Sequence, residues 1–535
     1  MFQGVRFGLG LDLAYKYVNA LLGGDDPANA AEPDATAYLL MDGPLYNTFG
    51  DPSSFFIGGA SWRKLAPAGI SNGKQSYTYG DERVSWDGYR WSYVNIPNLL
   101  SPWAQLGADI DGEAAGDQSG YSVSMNAAGD RFAVSGPSND GAGIDSGHVR
   151  VYQLIDNTWT QLGADIDGEF ANDGNSGSGI SMNASGDRVA IGATGNDGNG
   201  NLSGHTRVYQ LIGNVWTQLG ADINGEASGD QSGYSVSMNA AGDRVAIGAL
   251  FNDGASIIDS GHVRVYQLID NTWTQLGADI DGEAAEDRTG YSVSMNAAGD
   301  RVAIGAILAD LSAVNRGYVK IYQLINNGWT QMANPIYGEA AEDRNGYSVS
   351  MNAAGDRVAM GAIFNDGNGS NSGHVRIFRW NGSAWTQLGA NINGEALSDQ
   401  SGWSVSMNAV GDRIAIGAII NNSTRGHVRV YQLINNAWTR LGVDIDGEAS
   451  GDQSGYSVSM NAAGDRVVIG ARLNDGTTNN AGDNRGHVRI YRDTSIFATS
   501  SADVGRPWLA TWTNGFSAAK VTPTYTKSTN YPTIP

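Results

Sequence analysis

The chain contains no cysteine, which excludes disulfide bonds and thiolate chemistry. Basic residues are few: 33 Lys and Arg stand against 55 Asp and Glu, a formal net charge of −22. So acidic a surface repels phosphate backbones and anionic lipid, and neither nucleic acid nor membrane insertion is expected. Long apolar runs are missing too, since none approaches the roughly 20 residues that a membrane-spanning helix needs. The apolar stretch from Gly8 to Leu22 is broken by Asp12 and Lys16, so it makes a poor secretory leader and reads as an amphipathic segment. What the chain has in excess is glycine, 74 residues, as expected of a backbone that turns every few positions.

Most of those turns belong to one repeat. From Tyr234 the chain reads GYSVSMNAAGDRVAIGA, then a loop containing Asn252-Asp253-Gly254, then SGHVRVYQLI, then NTWTQLGADIDGE. The position of Tyr234 recurs as Tyr121, Ser178, Tyr291, Tyr347, Trp403 and Tyr456, at successive spacings of 57, 56, 57, 56, 56 and 53 residues. A period of this size specifies architecture before any single residue is interpreted. Each unit holds four runs of strand character: Tyr234 to Met238, Arg244 to Ala249, His262 to Ile269 and Trp273 to Ile280. In the second run Val245 and Ile247 share one face, and Ala246 and Gly248 the other. A lone sheet would leave both faces wet, whereas seven stacked radially set the bulky face of each against the small face of the next. The expected fold is all-β, a seven-bladed β-propeller over residues 102–492.

The ends are out of register in an informative way. Fourth-strand copies begin at Trp103, Trp159, Trp216, Trp273, Trp329, Trp385 and Trp438, and the first precedes every blade. The run from Trp103 to Ile110 is therefore expected to complete the blade that begins at Tyr456 and to leave no sheet edge there. Residues 1–101 carry no copy of the repeat; Val84 to Val94, around Asp87-Gly88, has a hairpin pattern, and a small β domain for attachment is expected. Residues 493–535 form a polar tail with Trp508, Trp512 and Phe516 in its middle. Three large aromatics in such a tail need a surface to bury against, so it is expected to dock or attach.

The run SGYSVSMNAAGDRVAIGA followed by GHVRVY resembles the FG-GAP repeats of integrin-α-type propellers. The family's Phe-Gly and Gly-Ala-Pro appear here as Ser232-Gly233 and Gly248-Ala249, and the first copy keeps Gly136-Pro137. The resemblance implies an adhesion or binding scaffold. Blades of that family that bind calcium do so in an acidic loop between the first two strands, where this chain has only Asn239-Ala240-Ala241-Gly242-Asp243. One Asp in a tight turn cannot supply the six to eight oxygens calcium takes, so that site is expected to be lost.

Repetition also sorts the candidate chemistry. All six histidines (His148, His205, His262, His374, His427 and His487) occupy one repeat position; a catalytic histidine is needed once, so these read as structural. No nucleophile elbow, phosphate loop or metal-ligand spacing is present, and neither an enzyme nor a cofactor is expected. The segment Asp279-Ile280-Asp281-Gly282-Glu283, with Asp287 beyond it, recurs around the ring and leaves two readings open. It is either a circle of weak divalent-cation sites or a set of carboxylates that accept backbone N–H groups in the turns between blades; the second is favoured. An asymmetric ligand needs a place where the repeat breaks, and the copy beginning at Tyr291 departs furthest. Its loop runs from Leu308 through Leu311 to Asn315 and Arg316, and its next connection carries Pro335 and Tyr337. Leu308, Leu311, Asn315, Arg316 and Tyr337 are the expected partner contact.

The function these features predict is non-enzymatic: a structural or binding protein on a virion surface, such as a bacteriophage fibre, tail or head-decoration protein, or in the extracellular space. Its expected partners are other virion or surface proteins and a host-surface glycan or protein, within an oligomeric assembly. The alternative is a secreted bacterial adhesin or lectin-like module.

Overall fold

The computed structural model describes residues 103–494, apart from 172–175, 255–256, 311–313 and 477–481; before residue 103 it describes only the backbone of short strands. Among those, Ser54–Ile57, Ala60–Lys64, Gln75–Tyr79, Glu82–Trp86 and Trp91–Val94 pair in chain order as an antiparallel sheet. The tail residues Trp508, Trp512 and Phe516 and the Gly8–Leu22 segment lie outside the described residues.

Seven sheets with a common strand order follow one another along the chain, and the protein is an all-β, seven-bladed propeller. Blade three is representative: Ser235–Met238, Arg244–Ala249 and His262–Ile269 pair antiparallel in sequence. The fourth strand differs from the expected continuous run. Thr272–Gln275 pairs with the end of the third strand, the chain then leaves the ladder, and Ile280–Asp281 returns to pair with Val263 and His262 at its start. Gly277 makes this excursion with a φ of +83°, a conformation that a residue with a Cβ rarely adopts.

Alternation along the second strand decides how blades stack. Ala246, Val263 and Val265 on one face of blade three pack against Met295, Val302 and Ile304 of blade four. Gly248 permits this approach, since a Cβ there would lie 2.2 Å from the carbonyl oxygen of Gly290 in the next blade. The same packing joins the last blade to the first, where Val468, Val488 and Ile490 meet Val123, Met125, Phe132 and Val134.

Hydrogen bonds run from blade to blade in closed circles. The turn between the first two strands is built by Asn239, whose Oδ1 accepts the N–H groups of Asp243 and Arg244 at 3.0 Å. Beside it, Ala240 N donates to Ala297 O at 3.1 Å, and the series passes through every blade until Ala462 N reaches Ala127 O. Arg244 Nη1 likewise reaches Gly299 O at 3.0 Å, a series that ends with Arg466 Nη1 on Gly129 O at 2.8 Å. At the outer side, the third strand of blade seven is paired by residues that precede blade one: Leu106 N donates to Ile490 O at 2.7 Å, and Ile110 and Asp111 lie opposite Val488 and His487. At the starts of the first strands, Tyr234, Tyr291, Tyr347, Trp403, Tyr456 and Tyr121 form a nearly continuous aromatic arc, with successive centroids 4.7–5.5 Å apart.

Candidate functional site

The loops between second and third strands and the connections leading into the next blade carry the polar side chains of the repeat. Asp343 shows the standard arrangement. Its Oδ2 accepts the backbone N–H groups of Glu339 at 2.7 Å and Ala340 at 2.8 Å, and Asn365 Nδ2 donates to the same carboxylate at 3.2 Å. Asp117, Asp399 and Asp452 make the same two backbone contacts. These aspartates are turn-builders, each holding a connection in place by charge-assisted hydrogen bonds.

A second repeated device uses the fourth-strand tryptophan. The indole N–H of Trp329 donates to Leu276 O of the preceding blade at 2.7 Å, and Trp159, Trp216, Trp273 and Trp438 reach the equivalent Leu carbonyl at 2.7–2.8 Å. The next residue is glycine for a steric reason: a Cβ on Gly107, Gly163, Gly220, Gly277 or Gly389 would lie 2.7–2.8 Å from the indole Cδ1. Between blades four and five the pair is Met332-Ala333, and Ala333 keeps the left-handed backbone at φ +60°. With a methyl group at that point the indole cannot settle onto the carbonyl, and Trp385 Nε1 is buried without a hydrogen-bond partner. Trp385 instead pairs across the hairpin with Trp380, ring centroids 5.4 Å apart, where blade three has Leu268 opposite Trp273.

The displaced packing leaves a cleft of about 470 Å³, lined by Ala333 to Glu339 on one side and by Arg316, Arg376, Phe378 and Trp385 on the others. That is within the size range of small-ligand sites. Arg376 is 6% exposed; its Nη2 donates to Tyr337 O at 2.5 Å, its guanidinium lies 5.5 Å from the Phe378 ring, and its Nε has no partner. Burial pulls its pKa below the usual arginine range, opposed by the nearby Glu339 carboxylate; an arginine stays charged there and gains by meeting an anion. Burial likewise raises the Tyr337 phenol, so its hydroxyl stays protonated. Glu339 is the one carboxylate of the lining; its Oε2 accepts Asn391 Nδ2 at 2.9 Å and its Oε1 lies 3.9 Å from Arg376. Two guanidiniums against one carboxylate give this cleft a positive sign on a protein of net charge −22.

Of the residues expected to form a partner contact, the structure brings Arg316 and Tyr337 together in the cleft, the guanidinium 5.5 Å from the phenol ring. Arg316 also has a structural duty, since its Nε holds Gly338 O just as Arg425 Nε holds Gly447 O two blades on. Leu308 and Asn315 lie on the neighbouring loop and do not line the cleft; Asn315, at φ +50°, closes that loop through Asp310 and Glu342. Leu311 lies outside the described residues. Sequence reasoning missed Arg376, Phe378 and Trp385. A signal existed, because blade five reads Ile377-Phe378-Arg379-Trp380 where blade three reads Val265-Tyr266-Gln267-Leu268.

No protein-family model matches the chain, and none of the curated proteins matches it. Among solved structures it is similar to a putative 6-phosphogluconolactonase from Bacteroides uniformis, with 10% identity over 64% of this chain and 90% of that one and a TM-score of 0.46. It is also similar to hydrazine synthase of Kuenenia stuttgartiensis, with 11% identity over 68% of this chain and 94% of that one and a TM-score of 0.44.

Proposed function

We propose that the protein is a non-enzymatic binding scaffold whose propeller presents the cleft of blades four and five to an acidic glycan. The observation that carries this reading is the unpartnered indole donor Trp385 Nε1 beside a positively charged cleft at the break in the repeat. Aromatic faces stack on sugar rings, while indole and guanidinium N–H groups hold hydroxyls and a carboxylate. A buried donor without a partner costs about 1–3 kcal/mol, and an arriving ligand recovers that cost.

In this reading the ring is pinned at its outer edge by the strand that begins at Trp103, and its blades are a divergent form of the FG-GAP type. Residues 1–101 and 493–535 attach it to a larger particle, a bacteriophage fibre, tail or decorated head, on which the propeller faces outward toward the host surface. Near-identical blades, an acidic surface and candidate docking segments at both ends support a display module. The test is binding of the full chain to a panel of neutral and carboxylated oligosaccharides, with Trp385→Ala as control, together with electron microscopy of the native source. Binding to carboxylated members that Trp385→Ala weakens tenfold or more supports the reading. Equal binding by both proteins, or none, overturns it, and finding the protein free in the medium favours a secreted adhesin.

A further inference from the structure

The histidine position of the repeat has a property unexpected of a merely structural residue. His148 and His487 are each 1% exposed, and neither ring nitrogen of either has a hydrogen-bond partner; His262, equally buried, has an unpartnered Nδ1. In each case Nδ1 faces carboxylates. His148 Nδ1 lies 3.7 Å from Glu113 Oε2 and 3.6 Å from Asp165 Oδ2. The equivalent groups are Glu226, His262 and Asp279 in blade three and Glu448, His487 and Asp109 in blade seven, with the three ligand atoms of each group within 4.8 Å of one another. The other oxygen of the aspartate is already held, since Gln161, Gln275 and Gln105 each donate to its Oδ1 at 2.5 Å. A glutamine donor fixes the carboxylate and leaves its second oxygen toward the histidine, as outer-shell partners of metal ligands do.

The remaining blades show what this place holds when the chain fills it. In blade two Arg207 pairs with both oxygens of Asp222, at 2.9 and 3.0 Å, and with Glu169. In blade six Arg429 does the same with Asp444 and Glu395. In blade four Tyr318 replaces histidine and Lys320 Nζ lies 2.6 Å from Glu283. In blade five both nitrogens of the buried His374 are unpartnered as well, but Asn391 replaces the aspartate and donates its amide to Glu339, so only one carboxylate is left there. In blades one, three and seven the same arginine turns its Nη2 to a backbone carbonyl, of Asp111, Asn224 or Asp446, at 2.6–2.9 Å. Its Nη1 stays 3.3–3.8 Å from the far oxygen of the glutamate, not the one beside the histidine.

We propose that blades one, three and seven each bind one divalent transition-metal ion of the zinc class, through Nδ1 of His148, His262 or His487 and the two carboxylates beside it. A neutral imidazole with two carboxylates is a donor set suited to zinc, cobalt or manganese, and calcium takes oxygen alone. The ligand atoms of each group, now within 4.8 Å of one another, draw closer around a metal with bonds of about 2.0–2.2 Å.

The test is calorimetric titration of the metal-stripped full chain with zinc chloride, repeated with calcium chloride, and alongside it Asp109→Asn/Asp165→Asn/Asp279→Asn, which installs what blade five carries naturally. Expected are three equivalents of saturable zinc binding, a higher Tm with zinc and none with calcium, and at least tenfold weaker binding in the triple variant. Cobalt chloride provides a second readout, a visible absorption band displaced by an imidazole ligand. The proposal is overturned if zinc binding is not saturable, if the triple variant binds as tightly as the native chain, or if saturating cobalt shows no such band.

Discussion

Ala462 donates its backbone N–H to the carbonyl oxygen of Ala127 at 3.1 Å, which joins the innermost turn of the last blade to that of the first. This hydrogen bond does not involve the outer strand, and deleting residues 103–110 separates the two contributions. The deletion removes Leu106, which is 4% exposed, donates to Ile490 and accepts the Trp159 indole. We expect a loss of at least about 3 kcal/mol from that burial and hydrogen bonding, with self-association through the uncovered edge. Differential scanning calorimetry and light scattering check it; a monomer with unchanged Tm would mean the outer pairing contributes nothing.

The cleft depends on one methyl group. Ala333→Gly relieves a left-handed alanine and lets the Trp385 indole settle onto Met332 O, so we expect a gain of about 1 kcal/mol and loss of glycan binding. The reciprocal change, Gly277→Ala, pushes Trp329 off its carbonyl and is expected to cost about 1–3 kcal/mol. Chemical denaturation of both variants is the measurement, and equal stability of the two would refute the steric account.

Acid sensitivity follows from His374, fully buried and outside the three proposed metal sites. Burial, with Arg376 beside it, lowers its pKa from 6.5 to about 3, so the folded state keeps it neutral while the unfolded chain takes up a proton. The stability tied to its neutral form is fully present above pH 6.5 and is lost progressively as pH falls toward 3, at up to about 1.4 kcal/mol per pH unit. His374→Gln should flatten the acid limb of the Tm profile in that window; a superimposable profile would show that the site titrates normally.

Calcium should not matter. The Asn-Ala-Ala-Gly-Asp turns satisfy their own polar groups, as Asn239 and Asp243 show, and leave no set of oxygens for the ion. Adding calcium to the metal-stripped protein is expected to leave Tm unchanged, because only a ligand of the native state shifts it. A rise in Tm with calcium would contradict this.

The tail is expected to mediate assembly on composition alone. Burying one large aromatic contributes roughly 1.5–3 kcal/mol, so Trp508, Trp512 and Phe516 together suffice to seat a subunit. Light scattering should find the full chain associated and Trp508→Ala/Trp512→Ala monomeric. Strictly monomeric full-length protein would remove the attachment role.

Repetition made the blade count, the strand order and the stacking of large against small faces legible in the sequence, because each is a local pattern stated seven times over. The turn aspartates were legible for the same reason: Asp343 bonds residues three and four positions away in the chain. What the sequence could not determine were contacts made between blades. Ala333 looks like a minor change from glycine until the indole of the next blade is placed beside it, and Arg376 and Phe378 become cleft walls only through that displacement. The histidines read as uniform along the chain, yet whether the carboxylates beside each are taken by an arginine or left to the histidine depends on side chains from three separate strands and connections. Such outcomes are settled by which of several nearby partners wins a hydrogen bond, a competition that exists only once the strands are packed.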